Sequence, residues 1–413
     1  MPRTRSSDTS THAALRSLLA APEPLTLIAL ALGLRGLHSL RAACRALQLA
    51  TRHAERRLRV IDGSRATPLR LELPADPSDL ERHPLHMPLY LASLPDGNLL
   101  VSKLGSSDLM LVDPALEVKP QTPRARIQTR LTPTTELGDR WSPSTSAAKE
   151  IDGELRGVAA SADGSIFCVH LGQVALKSVA LGGMVPWHHT VQKLRATTPL
   201  SNSTMTPAKK RAFPGVKQAG LRRTVQSKEE GPLGGVRLEY PSGVCYDDAG
   251  AVFVADVFNH RIVRYDDEHL LPQQTIGSFG FEHGQLFTPY GLAAHGGTLF
   301  VADNGNDRVS CFSTTSGGFE RTIGTRSGPG HLTQPRDVAV VRSDSHGHTS
   351  AHDLLIVSEA HRLSIFEIFS GEPVQVLELL GAGSLWGLSV SSDGEAVYVA
   401  DNDASSITKL YLL

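Results

Sequence analysis

Along most of the chain, apolar residues come in short β-branched runs broken by Asp-Gly or Gly-Gly turns. This is the pattern of antiparallel strands joined by hairpins. The pattern repeats. Tyr240-Pro-Ser-Gly-Val-Cys-Tyr-Asp-Asp-Ala-Gly-Ala-Val-Phe-Val-Ala-Asp256 returns as Thr288-Pro-Tyr-Gly-Leu-Ala-Ala-His-Gly-Gly-Thr-Leu-Phe-Val-Ala-Asp303, and more loosely as Trp386 to Asp401. Pro335 to Val340 with Leu354 to Glu359 is a copy opened by a Ser- and His-rich insertion. Arg156 to Val169 and Leu89 to Val101 are degenerate copies, which makes six. The anchors Gly243, Gly291, Asp337 and Gly387 lie 48, 46 and 50 residues apart. A unit of roughly 45 residues with four strands, used six times, predicts an all-β, six-bladed β-propeller over residues 85–413.

The last unit has room for three strands, near 387–391, 396–400 and 406–412. Leu69-Arg-Leu-Glu-Leu73 alternates apolar and polar positions, so the segment 66–75 is expected to supply the missing edge strand and close the ring. Upstream, the period changes. Leu25, Ile28 and Leu32, then Leu37, Leu40, Ala43, Cys44 and Leu47, recur every three or four residues. This predicts an N-terminal α-helical extension over 1–65, capped at Ser10-Thr11 and interrupted at Pro22 and Pro24.

Charge divides the chain further. The 413 residues carry 41 Lys and Arg against 42 Asp and Glu, a net charge of −1. Residues 1–70 hold twelve Arg and four acids, a balance of +8. Residues 184–219 hold six basic residues and no acid, a balance of +6, so the remainder stands at −15. The stretch 184–219 has no apolar period and is expected to be a disordered basic insertion in the second blade. Thr198-Pro199 and Thr206-Pro207 lie there beside Lys209-Lys210-Arg211 as phosphorylation candidates. Cys44, Cys168, Cys245 and Cys311 form no CxxC pair, which excludes a RING finger, a zinc ribbon or a disulfide scaffold. A reducing compartment, cytoplasmic or nuclear, is the expectation. The longest apolar run, Leu25 to Leu34, is too short to span a bilayer. Arg3 and Arg5 upstream leave a targeting segment as one reading of it.

Pro241-Ser-Gly-Val, Gly250-Ala-Val-Phe-Val-Ala-Asp256 and Asn259-His260-Arg261-Ile262 resemble the NHL repeat, and Asp303-Asn-Gly-Asn-Asp-Arg308-Val309 ends a second copy. The resemblance implies the six-bladed propellers of tripartite-motif ubiquitin ligases and of the lyase domain of peptidylglycine amidating enzymes. The N-terminal pattern, with Pro22-Glu23 before the apolar helices, resembles an F-box. That resemblance implies a cullin-ligase adaptor held by Leu25, Ile28, Leu32, Leu37 and Leu40. A plain helical extension remains the alternative.

In such a ring, the residues just before each inner strand form the rim of the mouth: Leu89, Arg156, Ser242, Tyr290, Arg336 and Trp386. Tyr290, Arg336 and Trp386 are hot-spot residue types. They point to a protein partner at that top face, with Arg156, His260, Asn304, Asn306 and His361 beside them. Alternatively, Tyr290 and Trp386 fill the channel neck and Arg336 pairs with Asp337 or Glu359. Asp256, Asn259 and Arg261 are expected to be structural. The function expected is a monomeric, non-catalytic recognition or substrate-recruiting propeller without cofactor or metal. An RNA-binding propeller is one alternative, opposed by the acidic body. A lyase or lactonase with a channel metal is the other, opposed by a rim without His or carboxylate.

Overall fold

The computed structural model describes residues 61–69, 86–106, 109–112, 153–172, 188–196, 221–226, 236–247, 249–324, 327–328, 330–342, 353–379 and 381–412. The chain divides into two units, Met1–Ser64 with Tyr411–Leu413, and Arg65–Leu410. The sheets belong to the second unit except for Ile61–Ser64 and Tyr411–Leu412, the ends of two strands of the last one. The expected N-terminal helices, including Leu25, Ile28, Leu32, Leu37 and Leu40, lie outside the described residues.

Among the described residues, six antiparallel sheets follow one another. Numbering the strands in chain order from β1 (Ile61–Leu69), the first sheet holds β2 (Pro88–Ser93), β3 (Leu99–Lys103) and β4 (Leu109–Val112). The second holds β5 (Gly153–Ala160), β6 (Ile166–Gly172), β7 (His188–Ala196) and β8 (Leu221–Gln226). The third holds β9 (Pro241–Asp247), β10 (Ala251–Asp256), β11 (Arg261–Asp266) and β12 (Pro272–Ile276). The fourth holds β13 (Pro289–His295), β14 (Thr298–Asp303), β15 (Arg308–Ser313) and β16 (Phe319–Ile323). The fifth holds β17 (Asp337–Val341), β18 (Leu354–Ser358), β19 (Arg362–Glu367) and β20 (Pro373–Glu378). The last runs β21 (Leu385–Val390), β22 (Ala396–Asp401) and β23 (Ser406–Leu412), with β1 outermost.

The hairpins have a side-chain cause. Asp96, Asp163 and Asp393 each precede a glycine with φ of 86°, 79° and 73°. Each carboxylate accepts the backbone N–H two residues on, from Asn98, Ser165 and Glu395, at 3.0 Å. This Asx turn reverses the chain without help from elsewhere. The second strand of each blade has sheet on both sides. Val252, Phe253, Val254, Leu299, Phe300, Val301, Leu355, Ile356 and Val357 are all fully buried, which explains their unbroken apolar runs.

The core is a set of layers between neighbouring sheets. One layer joins Leu155 and Ile166 to Leu89 and Leu100; another joins Phe300 and Val309 to Leu355 and Phe366. A further layer brings Tyr398, Ala400 and Ile407 of the last sheet onto Leu91, Val101 and Met110 of the first, so the succession returns on itself. The inner strands pack in the order β2, β5, β9, β13, β17, β21 and back to β2. Sheets repeated radially about an axis in this way make a β-propeller.

Close approach of inner strands requires glycine. A Cβ on Gly157 would lie 2.2 Å from Ser242 O, one on Gly243 2.3 Å from Tyr290 O, and one on Gly387 2.4 Å from Leu89 O. On Gly291 it would lie 2.0 Å from Asp337 Oδ1. The two remaining inner strands carry Tyr90 and Asp337 at this position.

Two boundaries differ from the sequence-based expectation. The outermost strand of the last sheet is β1, not Leu69–Leu73; residues 70–73 lie outside the described residues. An edge strand tolerates Gly63 and Pro68, which break the alternation that marks a half-buried strand. Within the stretch 184–219, expected to be a disordered basic insertion, His188–Ala196 is the strand β7. Val191 and Leu194 are buried there, and Lys193 spans to the next blade, donating to Asp267 O at 2.7 Å. A basic residue in this stretch thus bridges blades instead of pointing into water. Thr198, Thr206 and Lys209 to Arg211 lie outside the described residues.

Candidate functional site

The register places the start of each inner strand beside the end of the second strand. Pro241 pairs with Asp256, Pro289 with Asp303, Asp337 with Ser358 and Leu385 with Asp401. The inner-strand starts and the loops after the second strands therefore share one face of the ring.

A repeated carboxylate device fixes this face. Asp256 is fully buried; it accepts the Glu239 N–H at 2.6 Å, Asn259 Nδ2 at 2.9 Å and Arg261 Nε at 2.9 Å. Asp303 accepts the Phe287 N–H at 2.7 Å, Asn306 Nδ2 at 2.9 Å and Arg308 Nε at 2.9 Å. Glu359 accepts the Thr333 N–H at 2.7 Å and pairs with Arg362. Asp401 accepts the N–H groups of Gly383, Ser384 and Ala404. Each carboxylate ties the incoming linker to its own blade. Burial pushes the Asp256 and Asp303 carboxyls up, while the N–H and arginine donors pull them down.

This device reassigns several expected binding residues. Asn306 is 3% exposed and donates to Gly280 O and Asp303, so it is a strap and not a contact residue. Asn304 donates to Pro335 O at 3.1 Å. His260 Nδ1 accepts the Thr288 N–H at 3.1 Å, and its ring lies 4.9 Å from Phe279 and 5.4 Å from Phe287. Burial lowers its pKa. His361 is exposed on the loop after β18.

The rim residues fall into two groups. Tyr290, Arg336 and Trp386 come together. The Tyr290 ring meets Trp386 edge-on, 5.7 Å between centroids at 89°, and the Arg336 guanidinium lies 4.7 Å over the Trp386 ring. All three are half-buried. Arg336 pairs with neither Asp337 nor Glu359; its Nη1 donates to Ser384 Oγ and, at 3.0 Å, to Leu385 O. Burial lowers the Arg336 pKa, opposed by Asp403.

The second group is centred on Arg156, which is 4% exposed and so supports the rim from beneath. Its guanidinium lies 4.2 Å over Tyr240, bonds the Tyr240 hydroxyl and pairs with Glu154 at 3.0 Å. Tyr240 in turn stacks on Phe258, 4.7 Å away at 13°. Leu89 and Ser242 are buried, the Ser242 hydroxyl bonded to Tyr90 Oη at 2.8 Å. Sequence reasoning missed Tyr240 and the exposed rings Phe258, Phe279 and Phe281, each of the three more than half exposed. Aromatic residues inside otherwise polar connecting loops were the available signal.

Beneath the rim lies Asp337, 6% exposed. Its Oδ1 accepts the Val338 N–H at 2.9 Å and its Oδ2 the Leu388 N–H at 2.8 Å. Burial pushes its carboxyl up to about 7 against the pull of these two donors. Among the described residues, no group of three or more His, Cys, Asp and Glu side chains is placed to hold a metal ion. No described helix is long and apolar enough to cross a membrane.

The fold and this face define a β-propeller. Residues 238–265, which span the first complete strap, match the NHL repeat. No curated protein matches the chain. Among solved structures, it is similar to a streptogramin B lyase at 14% identity and TM-score 0.46, covering 84% of this chain and 97% of that one. A gluconolactonase from Xanthomonas campestris has 12% identity and TM-score 0.46, over 79% and 86% of the two chains. A chain of a nidogen–laminin complex has 13% identity and TM-score 0.45, over 74% and 85%.

Proposed function

We propose that this chain is a six-bladed recognition propeller that captures a protein partner on the face bearing Tyr290, Arg336 and Trp386. The observation that carries the reading is the half-buried cluster those three side chains form. Tyr, Arg and Trp dominate interface hot spots because they offer large contact area and directed polar groups. Here their geometry is fixed in advance, by the T-shaped ring pair and by the bonds of Arg336 to Ser384 and Leu385 O. Preorganisation lowers the ordering cost of association. The exposed rings of Phe258, Phe279 and Phe281 extend the apolar surface on the same face. Six sheets among the described residues support the blade number.

The double variant Arg336→Ala/Trp386→Ala tests the reading. Proximity labelling with the full chain should lose its specific partners in this variant while circular dichroism and Tm stay close to wild type. Retained partners would move the site elsewhere. The finer proposal is that Leu25, Ile28, Leu32, Leu37 and Leu40 recruit a cullin-ligase adaptor, making the chain a substrate-recruiting subunit. It rests on the sequence pattern of residues 1–65. Leu32→Asp/Leu40→Asp in the full chain should then abolish co-purification of such an adaptor; an adaptor that never co-purifies with wild type refutes it.

A further inference from the structure

Asp337 stands where four other inner strands carry glycine. Its carboxylate spans the seam between β17 and β21, accepting one N–H from its own strand and one from Leu388 of the next. Arg336 is its chain neighbour, and Trp386 lies two residues before Leu388. A second link joins the same parts: Ser358 Oγ accepts the Asp337 N–H at 3.0 Å and lies 2.6 Å from Trp386 O, to which it donates. The Arg336–Trp386 pair is therefore mounted on the two strands that this carboxylate staples.

We propose that Asp337 is a proton-operated latch that sets the geometry of the Arg336–Trp386 rim. This rests on the reading of that rim as the binding mouth. An ionised carboxylate has two acceptor oxygens and holds both N–H groups. Protonation turns one oxygen into a donor, so one of the two amide bonds is lost. The seam at Leu388 loosens and Trp386 shifts against Arg336.

Among the described residues, no charged group competes for the site. The strands packed on β17 are β13, β14, β18 and β21. β13 brings Tyr290 and also His295, which is bound to Asp353 at 2.8 Å; β14 brings Asp303, already paired with Arg308. β18 and β21 carry no titratable side chain. Glu359, just after β18, is occupied by Arg362. Tyr90 and Cys245 also sense Asp337, and burial raises the pKa of both, which keeps them neutral. With its carboxyl pushed up to about 7, the latch works near neutral pH.

The experiment reads Trp386 directly. In the full chain, Trp141→Phe/Trp187→Phe leaves Trp386 as the only tryptophan. Its emission, followed from pH 5.5 to 8.5, should shift in one sigmoidal step with a midpoint near 7. Asp337→Gly, the residue of the other anchors, and Asp337→Asn should each flatten that step, with circular dichroism confirming the fold. A flat wild-type profile, or a step that survives in both variants, overturns the latch. A step that persists unchanged in Arg336→Ala also overturns it, because the Arg336–Trp386 pair is then not what shifts. The readout needs no partner, so loss of the latch is distinguishable from loss of the recognition reading, which the partner-capture variants test.

Discussion

The strap carboxylates show how much rests on single residues. Asp303 is fully buried and satisfies the Phe287 N–H, Asn306, Arg308 and Ser310 at once. Asp303→Ala takes the acceptor from the Phe287 N–H, Ser310 Oγ and Arg308 Nε, while Asn306 keeps Gly280 O and the 13% exposed Arg308 keeps only the carbonyls of Phe281, Glu282 and Gln285. Removing one partner of a buried pair costs about 3–5 kcal/mol, so urea denaturation should show a loss of that order. Asn304→Ala, which removes one bond to Pro335 O, should cost no more than about 1 kcal/mol by the same measurement. The tight loop marks Asp256, Asn259 and Arg261 as structural from sequence alone, because such side chains bond locally, but the convergence of amide, guanidinium and linker N–H on one carboxylate was not legible there. The burial of Asn306 and Arg156 was not legible. Both are polar, and only the packing of adjacent blades decides which polar residues at the mouth reach solvent. Tyr240 was invisible as a site residue for the same reason, since its partners Arg156 and Phe258 lie 84 and 18 positions away in sequence.

At the level of strands, most of the sheet order could be read in advance. Asp-Gly turns are local chemistry, and the second strands declare themselves by unbroken apolar runs. What could not be read were strands whose side chains do not alternate. β7 mixes buried Val191, Gln192 and Leu194 with Lys193, and β1 contains a glycine and a proline. Both are placed by backbone pairing. Deleting residues 61–69 should therefore lower Tm by several degrees or abolish cooperative unfolding. An unaltered melt in this deletion would show that the last sheet holds without β1. Asp163→Ala, which deletes one Asx turn, should cost about 1 kcal/mol in chemical denaturation.

Across the whole molecule, the raised carboxyls give folding a definite pH dependence. Asp337 binds its proton with a folded value of about 7 against an ordinary 3.8. Between those values the native state holds more protons than the unfolded chain. Stability from this group is complete below about pH 4, falls as pH rises, and stops falling above about 7. The span amounts to a few kcal/mol, on the order of 1.4 for each unit of difference. Urea titrations at pH 5 and pH 8 should differ by an amount of that order in wild type and by markedly less in Asp337→Gly, where only the other raised carboxyls, Asp256 and Asp303, remain. A wild-type protein equally stable at both values would show the carboxylate fully compensated by its two amide donors.

The seams between inner strands are not equally open to change. At Gly157, Gly243, Gly291 and Gly387 the neighbouring strand already occupies the volume a methyl group needs. Substitution there is blocked on steric grounds, whatever the chemistry of the newcomer. Variation in how the ring is tuned has only two places to accumulate, Tyr90 and Asp337. Chains descended from this one should diverge freely in their loops while exploring, at the axle, little beyond the character of those two positions.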